Sequence, residues 1–522
     1  MTKPSRKADE VRDRITGADG SSLDETIYAG AGAGTGKTQA LVERIVNLII
    51  HGGVQPGKIA AVTFTVAAAS ELMQRIREEL EKRLDEEVVK NGGENPGDIQ
   101  ITLSNALNSL DSAFVGTIHS FAQSLLRERP LPVGLPPVFE LYDAVQGDER
   151  FDEEWSSWLD VELENPEFSA AVINAQRLGL TQPLDKLRDL AEELHVNFDL
   201  AERVGALAST DQVIDLGDIL ESIRVDLQKA FDLRAHCKNA EDKLLTHIES
   251  SIRMALDWID EATSSGSSEE QILALTQLSG FTTTGGRKGD WNPLSSGESS
   301  LEEVRDLLKG ARRTLESGRQ SLGEKTIVPL VNAVLRMVVG YATKRRTEGM
   351  LEFQDLLVLS SELLDTDDEA RKYFQERYTH ILIDEFQDTD PLQLKLAMRL
   401  ADRDSDSKAG GTPTPGALFV VGDEKQSIYR FRRADFTQLQ GLLGSLGASE
   451  LSLTKNFRSA PGILSWVNSI FEPWMNGSNG VNKNLNQAEY VSLEPGREDN
   501  FDSDKPRVMI AGGSADGNVD VA

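Results

Sequence analysis

The run Ala31-Gly32-Ala33-Gly34-Thr35-Gly36-Lys37-Thr38 sets small residues directly ahead of a lysine and a hydroxyl. Side chains this small let successive backbone N–H groups close around phosphate oxygens. The helix that opens at about Thr38 adds its partial positive charge. Lys37 supplies a mobile cation and the Thr38 hydroxyl can ligate Mg2+, so the chemistry is that of a cradle for ATP or another nucleoside triphosphate. The strict pattern begins with Gly where this chain has Ala31. A Gly-rich turn without a ligand is the plain alternative, and Gly-Lys-Thr between a strand and a helix speaks against it. The loop specifies a nucleotide, not its use.

A second constellation is Ile381-Leu-Ile-Asp384-Glu385-Phe-Gln387-Asp388, an apolar run ending on two adjacent acids. Asp384 at the strand end is placed to hold Mg2+ through water, and Glu385 to accept a proton from attacking water as general base. In so acidic a chain a solvated turn is the alternative, and the phosphate cradle weighs against it. Farther on, Gln426 is a neutral amide able to bridge a γ-phosphate to a neighbouring loop. Tyr429, Arg430, Phe431 and Arg432 alternate ring faces with cations, as single-strand stacking platforms do. Aromatic core with arginines at its rim is the competing reading there.

These residues need a scaffold, and the sequence supplies a rhythm of short β-branched runs followed by helical stretches, the pattern of a parallel α/β sheet. Strands are expected at Glu25–Ala29, Ile59–Thr63, Phe114–Thr117, His380–Asp384, Leu418–Gly422 and Leu451–Leu453, with Val508–Ala511 as a further candidate. Residues 130–350 differ: amphipathic, acidic and helical in period, with a Ser/Gly/Thr-rich loop expected from Thr263 to Ser300. They read as a helical domain inserted between two strands. Asp402–Pro415 reads as a surface loop.

Composition bounds the rest. The 522 residues are 39% hydrophobic and 27% charged, and a single cysteine, Cys237, excludes an intrachain disulfide. Six scattered histidines argue against zinc. Apolar stretches such as Leu41–Ile50 fall short of a membrane span, and a cytoplasmic protein is expected. The net charge of −30 opposes phosphate binding on average, but a groove can be locally basic.

Taken in order, these segments resemble the UvrD-like superfamily 1 helicases. Thr63-Phe64-Thr65 with Ala68, Ala69, Glu71 and Arg75 is similar to the family's motif Ia, and Thr117-Ile-His119-Ser-Phe121 to its next DNA-side motif. Asp384–Thr389 matches its DEFQDT box, Gly422–Asp435 its GDxKQSIYxFRxAD box, and Asn456-Phe457-Arg458-Ser459 its NFRS box. Gly134–Glu140, Phe353–Leu357 and Pro391–Gln393 lean toward the RecB/AddA branch. The resemblance implies a P-loop NTPase with a RecA-like parallel sheet in a first motor domain (1–129 and 351–447). It also implies the inserted helical domain (130–350) and the start of a second RecA-like domain (448–522). Arg458 would be an arginine finger, and Phe457 would stack on adenine. Phe64, Thr65, His119, Tyr429, Phe431 and Arg432 would face single-stranded DNA, travelled 3′ to 5′. The implied partners are DNA ends and a nuclease–helicase partner subunit, with no membrane.

The chain departs from that family at Gln39, where an adenine-sandwiching Arg is common, and at Ala67, where a polar residue is common. Asp9–Arg14 offers no clear adenine-reading glutamine. The remaining boxes of the second motor domain do not occur before Ala522. The expectation is therefore a fragment that binds ATP–Mg2+ weakly, hydrolyses it slowly and unwinds nothing unaided. A non-enzymatic, nucleotide-gated interaction module is the competing class.

Overall fold

The computed structural model describes residues 6–90, 96–207, 215–278, 281–403, 411–429, 433–434, 447–476, 490–497, 512–513 and 519–520. Its centre is a six-stranded parallel sheet built from β1 (Ile27–Ala31), β2 (Ile59–Thr63), β3 (Phe114–Thr117), β4 (His380–Ile383), β5 (Leu418–Gly422) and β6 (Ser449–Leu453). The spatial order is β3-β2-β4-β5-β1-β6. All neighbours run parallel, with Ile27 opposite Phe419 on one side and Ser449 on the other.

Strands buried on both faces should read as continuous apolar runs, and β2 and β5 are buried at every position. Side chains alternate between two cores. Tyr28, Val62, Ile383 and Val420 join one with Phe121, Leu357 and Leu396 from covering helices. Ile27, Ala61, Leu382 and Phe419 join the other with Leu41, Ile45 and Leu72.

Three strands have the expected limits, and β1 begins two residues late. Its pairing starts at Ile27 and continues into the glycine-rich run because Gly30 and Ala31 align with Ser452 and Leu453. The strand expected at Leu451–Leu453, assigned from sequence to a second motor domain, is the edge strand β6 of the first sheet. The candidate at Val508–Ala511 lies outside the described residues, as do 404–410 of the expected loop.

The chain divides into two compact units, 1–141 with 346–522, and 142–345. The first junction comes later than residue 130 because Val133, Leu135 and Phe139 are buried in a core of the first unit. Arg346 holds the return, donating to the Val133 carbonyl and to both Glu362 carboxylate oxygens at 2.8 and 3.0 Å.

The second unit is helical, with its own core around Leu227, Ile259, Leu275 and Leu308. The loop expected from Thr263 to Ser300 contains a helix, Ser268–Gln277. Ala274 and Leu275 bury one face, and Glu269 and Glu270 suit its N-terminal turn, which outweighs the serine-rich composition. The helix Ser300–Glu348 corrects a second expectation, since over 18 residues it is long and apolar enough to cross a membrane. Half of that window is buried inside the protein, as in a core helix.

One buried cation ties the N-terminal segment to the sheet. Arg44, on the helix Lys37–Ile50, is 1% exposed. It donates to the carbonyls of Ile15, Ser22, Leu23 and Glu25 at 2.9 to 3.4 Å and lies 4.7 Å from the Phe419 ring centroid. Burial lowers its pKa to about 10, which leaves it charged at neutral pH. Arg44→Leu strands those carbonyls in the core and is expected to destabilise the fold by on the order of 3 kcal/mol. Urea melts would show it, and a midpoint equal to that of the unsubstituted chain would refute the clamp.

Candidate functional site

In a parallel sheet every strand ends at the same edge, so the loops after β1, β2, β3, β4 and β5 gather there. The phosphate loop follows β1. Gly34 and Gly36 have φ of 79° and 83°, a backbone that suits glycine. A Cβ on Gly34 would lie 2.6 Å from Arg458 Cβ and 2.8 Å from Asn456 Nδ2, so this approach also excludes a side chain. The Thr35 hydroxyl is spent inside the loop, donating to Gly32 O at 2.7 Å. Ala31 is the last residue of β1, and Ala33 O accepts from Asn456 Nδ2 at 2.7 Å. The Phe457 N–H donates to Gly34 O at 2.8 Å, which brings the Asn456–Arg458 segment directly onto the loop.

Lys37 leads from this loop to the acids after β4. Its Nζ is 2.8 Å from Glu385 Oε2 and 3.3 Å from Gln426 Oε1. Glu385 has φ of 51°, a strained backbone for a residue with a side chain and a common mark of a functional turn. The Gln387 Nε2 donates to Glu385 Oε2 at 2.8 Å, while its Oε1 accepts from the Asp423 N–H at 2.8 Å. Gln426 Nε2 donates to Asp423 Oδ2 at 2.9 Å. Lys37, Glu385, Gln387, Asp423 and Gln426 thereby form a closed hydrogen-bonded ring across three loops.

The two acids are shifted in opposite directions. Burial, with the Glu385 carboxylate beside it, pushes Asp384 up to about 6. Burial also raises Glu385, but hydrogen bonds from Gln387 and Lys37 outweigh it and hold that carboxyl below its ordinary value. Two adjacent, partly buried carboxylates are an arrangement that a divalent cation relieves. Asp384 and Thr38 line the same cleft, so this oxygen donor set fits Mg2+. Among the described residues no group of three His, Cys, Asp or Glu side chains could cage a metal, so phosphate and water would have to complete the shell.

That cleft, about 590 Å³, continues from Thr38 and Asp384 to Phe64, Thr65 and Tyr429. The Phe64 and Tyr429 rings are stacked, with centroids 5.1 Å apart and planes 27° apart, and Phe64 is 42% exposed. His119 is not part of this cleft; it follows β3 and meets the exposed Phe353 edge-on, with centroids 5.7 Å apart. Burial lowers its pKa. Phe431 and Arg432 lie outside the described residues.

Sequence reasoning missed Arg12 and gave no role to Gln387 or Asn456. Arg12 donates to Thr35 O at 3.4 Å and Glu43 at 3.1 Å, and its guanidinium lies 5.8 Å from the Phe457 ring centroid. Gln39 donates to the same Glu43 at 3.0 Å. A cation therefore reaches the Phe457 face from the N-terminal helix, although position 39 has none. The NFRS and DEFQDT patterns flagged Asn456 and Gln387, but nothing local showed what they bind.

Residues 18–444 match the family described as UvrD/REP helicase N-terminal domain. The chain is 26% identical over 551 aligned positions to an ATP-dependent helicase/nuclease subunit of Clostridioides difficile (strain 630), covering 95% of this chain and 40% of that relative. The same-named protein of Alkaliphilus oremlandii (strain OhILAs) is 28% identical over 508 positions, covering 89% and 39%. That of Streptococcus sanguinis (strain SK36) is 27% identical over 562 positions, covering 98% and 43%. The chain spans about two fifths of the length of these curated relatives. With the loop, the acids and the amide converging in this order on one sheet edge, the chain belongs to the UvrD/REP helicase family.

Proposed function

We propose that this chain hydrolyses ATP and couples the cycle to 3′-to-5′ movement on single-stranded DNA, as the first part of a helicase motor for DNA repair or recombination. One observation carries this reading: Lys37 Nζ meets both Glu385 and Gln426, residues from three separate boxes. The relatives are named helicase/nuclease subunits, which favours a cytoplasmic setting, DNA ends as substrate and a second protein as partner.

Backbone N–H groups of the phosphate loop bind the triphosphate, and Lys37 turns from Glu385 to its β- and γ-oxygens. Thr38 and Asp384 would hold Mg2+, which would supply charge neutralisation to the triphosphate. Freed of Lys37, Glu385 takes the proton of the attacking water, and Gln426 follows the γ-phosphate. Arg458, exposed beside Gly34, is the candidate arginine finger, and Phe457 with Arg12 is the candidate seat for the base. Phe64 and Tyr429 stack on bases of the strand.

Lys37→Ala and Glu385→Gln are each expected to lower DNA-stimulated ATP turnover by about 100-fold or more, the range of a positioned general base or charge stabiliser. Turnover that survives both substitutions would sink the enzyme reading. Nucleotide binding without any response to DNA would favour the interaction module.

Phe64→Ala should weaken single-stranded DNA binding by about 1–3 kcal/mol, the worth of one stacked base. Fluorescence anisotropy with a short oligonucleotide reads this directly, and unchanged affinity would remove Phe64 from the DNA path.

A further inference from the structure

We propose that the Gln387 side chain is the positioning residue that couples the triphosphate site to the stacking pair, an inference that rests on the motor reading above. Gln387 is 2% exposed and stands in the wall of the cleft that runs from Thr38 to Tyr429. Its amide divides its two ends between the two sites. The nitrogen holds Glu385 Oε2 and the oxygen holds the Asp423 N–H, each at 2.8 Å.

The main chain of the same residue extends the connection, since Gln387 O accepts from Ser427 Oγ at 3.3 Å. Ser427 is two residues from Tyr429, which stacks on Phe64. The loop from Asp423 to Tyr429 is thus hung on Gln387 at both its start and its middle. This approach requires Gly422, because a Cβ there would lie 2.7 Å from Gln387 Oε1 and 3.2 Å from Gln387 N.

The ring of hydrogen bonds explains how the two sites sense each other. A triphosphate that draws Lys37 away removes the bonds to Glu385 and Gln426 together. The Gln387 amide then remains as the side-chain link between the Glu385 carboxylate and the Asp423 loop. A strand that shifts Tyr429 pulls on the same loop from the other end. Coupling of this kind is reciprocal, so it can be read from binding alone.

The test uses the full chain, a labelled oligothymidylate and a non-hydrolysable ATP analogue with Mg2+. The oligonucleotide dissociation constant is measured with and without the analogue. In the unsubstituted chain the two constants should differ about fivefold or more, the usual size of such coupling. In Gln387→Met the ratio should fall to about one. Adding Tyr429→Ala to Gln387→Met should leave the ratio where it is, as expected for two members of one path. A merely structural amide would lower stability and leave the ratio intact. Gln387→Glu keeps the acceptor for Asp423 and loses the donor to Glu385, so it should also abolish coupling if the Met variant fails to fold. A folded variant of either kind that retains the original ratio overturns the relay. An unsubstituted chain that binds both ligands with a ratio of one overturns the relay alone; a chain that binds no nucleotide overturns the motor reading and the relay with it.

Discussion

A single ion pair organises the candidate site: Lys37 Nζ against Glu385 Oε2 at 2.8 Å. Its partners are 348 residues apart in the chain. They meet because β5 alone separates β4 from β1 in the sheet, so the two loops start about 10 Å apart, two strand spacings. A lysine and a glutamate reaching toward each other close that gap, and the loop after β5, with Gln426, lies between them. One ammonium cannot serve a carboxylate and a phosphate equally well. On the proposed function, binding the triphosphate and releasing the base are therefore the same movement.

The sheet can hold this geometry because little in it is free to move. Both faces are buried in separate cores, and strand side chains alternate strictly between them. Slipping one residue in register would exchange the two sets of side chains, so register is tightly specified. Arg44 adds a polar lock, binding the backbone from Ile15 to Glu25 to the helix that begins at Lys37. Close backbone approach does the rest. Gly34 lets the Asn456–Arg458 segment lie on the phosphate loop, and Gly422 admits the Gln387 amide. At both positions the absence of a Cβ is the functional property.

None of the site residues named above comes from the helical unit. Its core is complete within itself, and long amphipathic helices with surface ion pairs such as Arg188–Asp152 and Arg224–Glu221 account for much of its charge. Exposed pairs of this type contribute little to stability. Average charge is a poor guide to the cleft, because the net charge of −30 sums over both units, and the helical one contributes none of the site residues.

The phosphate loop, the adjacent acids and the strands that carry them were legible in the sequence alone, because each is a local feature. Small residues before Lys37, two acids after Ile383 and apolar runs of strand length carry their meaning within a few positions. The same holds for Ile59–Thr63, Phe114–Thr117 and Leu418–Gly422, whose limits follow from hydrophobic runs bounded by breakers. What required the tertiary structure depends on pairing between distant segments. Ser449–Leu453 belongs to the first sheet because β1 offers it a free edge, a fact absent from its own composition. Gln387 gains its place from Gly422 and Asp423, and Arg12 from Phe457 and Glu43, contacts no spacing rule could foresee. Sequence determines which chemical groups are present and their local backbone; only the folded sheet, by setting which strand ends are neighbours, decides which of those groups can share a proton, a phosphate or a hydrogen bond.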